Sequence, residues 1–229
     1  MTEISNPLWL RRAHAGIWEY ASHDLESLFQ SLNLGHPKQS RDLLLREVPQ
    51  LTAVYGEQAA VIAADWYDEL RYLEGVPGRY RARMAPTFPE QFVQDRIKFG
   101  AAHLFTPTPE KIFPFLLDAM QEYVLQPGRD TIQQSAIRDP EAAGWRRVTS
   151  PGACKFCQML AGRGGVYKRS TATFAAHGNC NCGAAPSWDK NAPEVPVSAY
   201  VASARTSKMN AEQKRAHRDM TRSFLDQMG

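Results

Sequence analysis

The chain has 229 residues, 43% of them hydrophobic and 22% charged, with a formal net charge of +3. These values fit an ordinary soluble globular protein with room for a real core, built as one large domain or two small ones, and they exclude nucleic-acid binding through overall charge alone. No apolar run reaches the roughly 18 residues of a spanning helix, and the first twenty residues carry Arg11, Arg12 and His14 instead of a secretory core. Folding in a cytoplasm is therefore expected, with no membrane partner. Thiols stay reduced there, so clustered cysteines point to metal more than to disulfides.

Residues 1–143 contain no cysteine and predict helix throughout. Asn6 followed by Pro7 is a helix start, with an N-cap residue and then a proline in the first turn. Leu8, Trp9, Ile17, Ala21, Leu25, Leu28 and Leu32 follow at helical spacing, and Gly35 and Pro37 end the run. A second stripe, Leu51, Val54, Tyr55, Ala59, Ile62, Trp66, Leu70 and Leu73, has the 3.6-residue period of an amphipathic helix. Gly75, Pro77 and Gly78 close it. Trp66, Tyr67 and Tyr72 read as helix core and not as a ligand box. A third helix is expected over about 90–105 and a fourth over 109–125. Pro127-Gly128 should break the fourth, and Asp130 should cap a short helix to Arg138. His14, His23, His36 and His103 have no partner at a telling spacing and read as surface or satisfied histidines.

The texture changes at Gly144. Short strands are predicted over 145–149, 164–168 and 182–188, in a small, irregular, glycine-rich β module whose core is too small to stand on packing alone. Residues 189–209 are rich in Pro, Ala and Ser and read as a linker. Asn210 then caps a last helix with a thin stripe of Ala216, Met220, Phe224 and Met228, suited to docking on a partner. The expected fold class is α+β: a mainly helical part over 1–143, a small zinc-bound β module over 144–188, and a C-terminal linker with a docking helix over 189–229.

All four cysteines fall in that module. Cys154 and Cys157 form a C-x2-C pair; a 19-residue stretch later come His177, Cys180 and Cys182. A C-x2-C turn aims two thiolates at one ion. Zinc takes four sulfur or imidazole ligands in a tetrahedron, and a structural site leaves none open. Five donors for four places leave one spare. Cys154, Cys157, His177 and Cys180 are the favoured set, with Cys182 the doubtful member. The bland alternative is four reduced thiols with no metal. Redox use is disfavoured because no thioredoxin-like βαβ pattern surrounds the pair.

Catalysis is not expected. A zinc deaminase needs an H-x-E motif, and no histidine here is followed two places later by glutamate. Between Gly144 and Trp188 there is no Asp or Glu to serve as a base, while Arg146, Arg147, Lys155, Arg163, Lys168 and Arg169 are all basic. That charge makes either a solvated face or a non-specific contact with phosphate backbone. From Arg205 onward the chain adds six basic and three acidic residues.

The string GACKFCQMLAGRGGVYKRSTATFAAHGNCNCGAAPSW resembles the C-terminal motif of the MuF-like phage minor head proteins, the phage head morphogenesis family, in the version found in tailed phages of actinobacteria. The matching pieces are Cys154 and Cys157, then Gly164-Gly165-Val166-Tyr167, then the stretch from His177 to Cys182. Gly178 replaces that family's common proline, and Asn181 its common arginine; neither is a proposed ligand. The resemblance implies a virion component inside the head near the portal, made in the host cytoplasm, with portal or major capsid protein as partner and packaged DNA nearby. The competing expectation is a non-catalytic zinc-module protein that binds free DNA.

Overall fold

The computed structural model describes residues 3–149, 152–163, 165–168, 174, 176, 180–195, 209–216 and 219. Four long helices come first: α1 over Pro7–Gln30, α2 over Pro37–Leu73, α3 over Glu90–Gly100 and α4 over Ile112–Arg138. A short 3-10 turn at Glu3–Ser5 precedes α1, and two more at Ala101–Phe105 and Pro109–Lys111 join α3 to α4. A two-stranded antiparallel sheet follows, β1 over Gly144–Val148 with β2 over Gly183–Ser187, and a short helix α5 over Lys155–Ala161 lies between the strands in sequence. The fold is α+β and mainly helical, with the sheet as its small β component.

The start of α1 follows from its capping residue. The Asn6 side chain accepts a hydrogen bond from the Leu8 amide at 2.9 Å, and Pro7 fills a position whose amide would have no helical partner. Pro37 both follows the end of α1 and opens α2, again as a first-turn proline. Trp66 and Tyr67 are buried in α2, while Tyr72 is 77% exposed. Five residues beyond Tyr67, Tyr72 has rotated off the buried face, so it does not belong to the core stripe. His14 is buried and its Nε2 lies 3.0 Å from the Ala59 carbonyl, a satisfied core histidine.

The break expected at Pro127-Gly128 does not occur: α4 runs unbroken through both residues. An interior proline costs about 3 kcal/mol in an isolated helix, but α4 is buried on nearly all sides from Ala119 to Ala136, and tertiary packing outweighs propensity. The glycine is there for proximity. A Cβ at Gly128 would sit 2.4 Å from the His14 ring and 2.9 Å from the Ala59 carbonyl oxygen, so only glycine lets α4 cross α1 and α2 this closely.

Two apolar cores result. One joins α1, α2, α3 and the first half of α4 around Leu25, Leu44, Ile97 and Leu116. The other joins Leu10, Trp66, Tyr67 and Ile132 of the helices to Trp145, Cys157, Tyr167, Cys180, Cys182, Ala184 and Val195. The β module thus draws on helical side chains to complete its core.

The sheet is smaller than the three-strand expectation. Val166 and Tyr167 make single bridges, Tyr167 to Trp145 and Val166 to Glu194, in place of a full strand. Trp145 exchanges both backbone bonds with Tyr167, at 3.1 and 2.7 Å. Its partner on β2 is Pro186, which has no amide to offer, so β2 accepts a proline there without losing a ladder bond. Gly144 has φ 147°, and a Cβ on it would lie 2.5 Å from the Tyr167 carbonyl oxygen; both facts require glycine. In the segment read as a linker, Val195 is buried and donates its amide to the Val166 carbonyl at 2.8 Å. The helical turn over 211–216 has the expected cap: Asn210 and Gln213 exchange side-chain-to-amide bonds at 2.9 and 3.0 Å. Met220, Phe224 and Met228 lie outside the described residues.

Candidate metal centre

Three of the five candidate ligands come together. The sulfur atoms of Cys157, Cys180 and Cys182 all lie within 4.8 Å of one another, and all three residues are buried. Cys157 Sγ and Cys180 Sγ are 3.7 Å apart. Two thiolates on a tetrahedral zinc with bonds of about 2.3 Å would sit about 3.8 Å apart, so this spacing suits a shared ion. Three buried cysteines are therefore close enough to bind a metal ion, and their chemistry fits zinc. Cys182, the donor expected to be spare, stands inside the group. Cys154 is exposed and outside it; its sulfur accepts the Cys157 amide at 3.4 Å and caps α5. His177 lies outside the described residues.

Each sulfur is placed by a different element. Cys157 sits in the first turn of α5, held there by the Cys154 cap. Cys180 and Cys182 flank Asn181 on the segment entering β2, and in an extended run residues two apart face the same side. Helix α4 fixes that segment through a polar stripe. Arg129 donates through Nε to the Cys182 carbonyl at 3.0 Å and through Nη2 to the Cys180 carbonyl. Gln121 Nε2 donates to Asn181 Oδ1 at 3.0 Å, and Gln133 Oε1 accepts the Phe174 amide at 3.0 Å.

Two guanidinium groups face the thiols. Arg129 is 2% exposed, and Arg147 has Nη1 3.8 Å from Cys157 Sγ. The Phe174 ring lies between them, with its centroid 5.1 Å from the Arg129 guanidinium carbon and 3.8 Å from that of Arg147. Trp145 stacks on Tyr167 at 4.5 Å and closes the other side. This surrounding separates the thiols electrostatically. A hydrogen bond from Cys182 draws the Cys180 thiol down to about 4, with the Cys182 amide and the Arg129 charge adding to the effect against the opposing cost of burial. Burial pushes Cys157 up to about 11. Cys182 is raised, chiefly because it donates to Cys180. Cys180 is thus the thiol most readily ionised of the three, and a cation would displace protons from the group on binding.

Sequence reasoning did not single out Arg129. In the sequence it is one charge between Gly128 and Asp130, read as a turn. The visible signal is the spacing of Gln126, Arg129 and Gln133 on one face of an otherwise apolar helix. Arg147 was counted with a basic surface, yet it is 6% exposed and its charge is directed inward.

A second buried polar knot anchors the end of the module. Asp139, just past α4, accepts from Arg71 Nε at 2.9 Å, Tyr67 Oη at 3.0 Å and Trp188 Nε1 at 3.3 Å. Arg71 and Tyr67 belong to α2, so one carboxylate ties both long helices to the residue after β2. Its side-chain hydrogen bond from Arg71 leads those that hold the carboxyl below its ordinary value, although burial alone would raise it.

The profile of the VG15 protein family matches residues 2–223. The chain belongs to the VG15 protein family. This is a family of viral, phage gene products, so the chain is a phage protein. Neither a curated protein nor a solved structure matches it. Among the described residues, no helix is long and apolar enough to cross a membrane.

Proposed function

We propose that the chain is a structural minor head protein of a tailed phage, placed inside the head near the portal, with one structural zinc ion that holds its C-terminal module together. The observation that carries the structural role is the sealed thiol group. Cys157, Cys180 and Cys182 are buried under α4, Trp145 and Phe174. A catalytic zinc needs an open coordination position and an acid or base beside it. Here the groups beside the sulfurs are guanidinium ions and aromatic rings, so the metal's contribution is folding energy.

Membership in a phage family supports the virion setting, and the MuF-like motif supports the minor head role. Cys157, Cys180 and Cys182 supply three ligands, and Cys154 or His177 the fourth. Portal or major capsid protein is the partner. The competing reading is a non-catalytic zinc-module protein that binds free DNA.

Purified particles distinguish the two. Quantitative mass spectrometry of heads should find the chain at a few copies per portal ring, and cross-linking should join it to portal or capsid protein. Absence from assembled heads, with the chain recovered on DNA in infected cells, would establish the competing reading.

A further inference from the structure

Between α2 and α3 the chain runs extended across the ends of α2 and α4. Two side-chain bonds pin it: the Ala82 amide donates to Asp68 Oδ1 at 2.9 Å, and the Ala85 amide to Thr131 Oγ1 at 2.9 Å. Arg79, Arg81 and Arg83 are exposed, while Tyr80 and Ala82 between them are half-buried. The alternation projects three guanidinium groups to one side, about 7 Å apart along the chain. Arg138, exposed at the end of α4, joins them around an open cleft of about 610 Å³. No acid lines the cleft. Of its four arginines only Arg81 has an acidic partner among the described residues, Asp68 at 3.2 Å. Tyr80 forms the floor, packed edge-on against Tyr67 at 5.9 Å.

We infer that this arginine cleft is a binding site for the phosphate backbone of duplex DNA. Three of these cations lack an acidic partner among the described residues and the fourth is shared with Asp68, so the cleft attracts anions. Guanidinium forks match phosphate oxygens in pairs. Three of the four stand in a row, which suits a chain of phosphates better than one compact anion. No asparagine or glutamine lines the cleft to read base edges, so recognition is electrostatic and independent of sequence. The site lies on the helical part of the chain. On the β module Arg147 is turned inward toward sulfur and Phe174, which leaves that module less charge for DNA.

The test uses the purified full chain and a labelled random-sequence duplex, with affinity measured by anisotropy at several salt concentrations. Arg79→Ala, Arg83→Ala and Arg138→Ala are combined; Arg81 is kept because of its bond to Asp68. If the three contact phosphate, their loss should reduce the slope of log affinity against log salt by about 2.7. Between about 50 and 200 mM salt the wild type should then lose about 40-fold more affinity than the variant. The corresponding triple lysine variant should keep the slope, which shows that charge and not folding is being read. A control with Arg146, Lys155 and Lys168 changed to alanine should bind nearly as the wild type does. An unchanged slope in the triple alanine variant overturns the assignment, and so does an equal loss in the control. Tight binding of tripolyphosphate with no binding of duplex overturns the choice of DNA. The inference uses the packaged-DNA setting of the proposed function. Its readout is binding by purified protein, whereas that function is read in assembled heads, so either can fail alone.

Discussion

Replacing Arg129 by methionine tests the most specific feature of the metal centre. Methionine keeps much of the side chain's length and volume, so little cavity forms. What disappears is a fork that satisfies two buried carbonyl oxygens, those of Cys180 and Cys182, and a positive charge that favours ionisation of Cys180. An orphaned buried acceptor costs about 1–3 kcal/mol, so two cost about 2–6 kcal/mol. Removing a buried charge returns part of this, because Arg129 is itself disfavoured by desolvation. A net loss of about 3 kcal/mol is expected, read from urea unfolding by circular dichroism and tryptophan fluorescence. Metal affinity should fall as well. Loss of an outer partner that orients metal ligands typically costs about 10–100-fold, measured by competition with a chromophoric chelator. Arg129→Lys should fall between, since one ammonium cannot form both bonds in the same geometry. Stability within about 1 kcal/mol of wild type, together with unchanged metal affinity, would refute the claim that Arg129 organises the cysteine segment.

The purified chain should carry about one equivalent of zinc, and Cys182→Ser should lower metal content as much as Cys180→Ser; a full equivalent retained by Cys182→Ser would remove it from the ligand set. Burial lowers the His14 pKa from 6.5 to about 4. As pH falls the unfolded chain therefore takes up this proton first, and stability should drop from about pH 6.5, levelling off below about pH 4 after a loss of about 3 kcal/mol. His14→Gln, which keeps a donor for Ala59, should flatten that part of the stability–pH profile. Gly128→Ala gains about 1 kcal/mol of helix propensity but forces a methyl into the His14 ring and the Ala59 carbonyl; a net destabilisation of about 2 kcal/mol should appear as a lower melting temperature.

Features set by neighbours in sequence were legible in advance. The Asn6-Pro7 start, the buried Ala59, Trp66 and Leu70 of α2, and the positions of β1 and β2 depend on local capping and periodicity. Features set by distant partners were not. Pro127-Gly128 is a helix breaker in isolation, and only the depth at which α4 is buried reverses that reading. The α5 helix is seven residues long, too short for periodicity to announce; its start depends on the Cys154 sulfur acting as a cap. For the candidate site, the cysteine spacing identified the donors, but not which of them meet. Whether Cys182 or Cys154 stands nearer the other sulfurs depends on how α4 grips the segment entering β2, and no spacing rule contains that information.

The absence of acid from 144–188 now has a second explanation, independent of DNA. A metal held by three or four thiolates would carry net negative charge in a buried place, and Arg129 and Arg147, which approach from two sides, would offset it. An Asp or Glu within reach would compete with the thiolates for the metal, and with the sulfurs for both guanidinium groups. A carboxylate near the sulfurs would therefore oppose metal binding. The same reasoning moves the search for a nucleic-acid surface elsewhere. A basic residue is evidence of a polyanion only where its charge is not already used, and Arg147 fails that condition. Arg79, Arg83 and Arg138 meet it, on a part of the chain whose composition drew no attention because Asp and Glu elsewhere in the helices balance it. Net charge summed over a segment hides both cases; what distinguishes them is the partner each guanidinium faces.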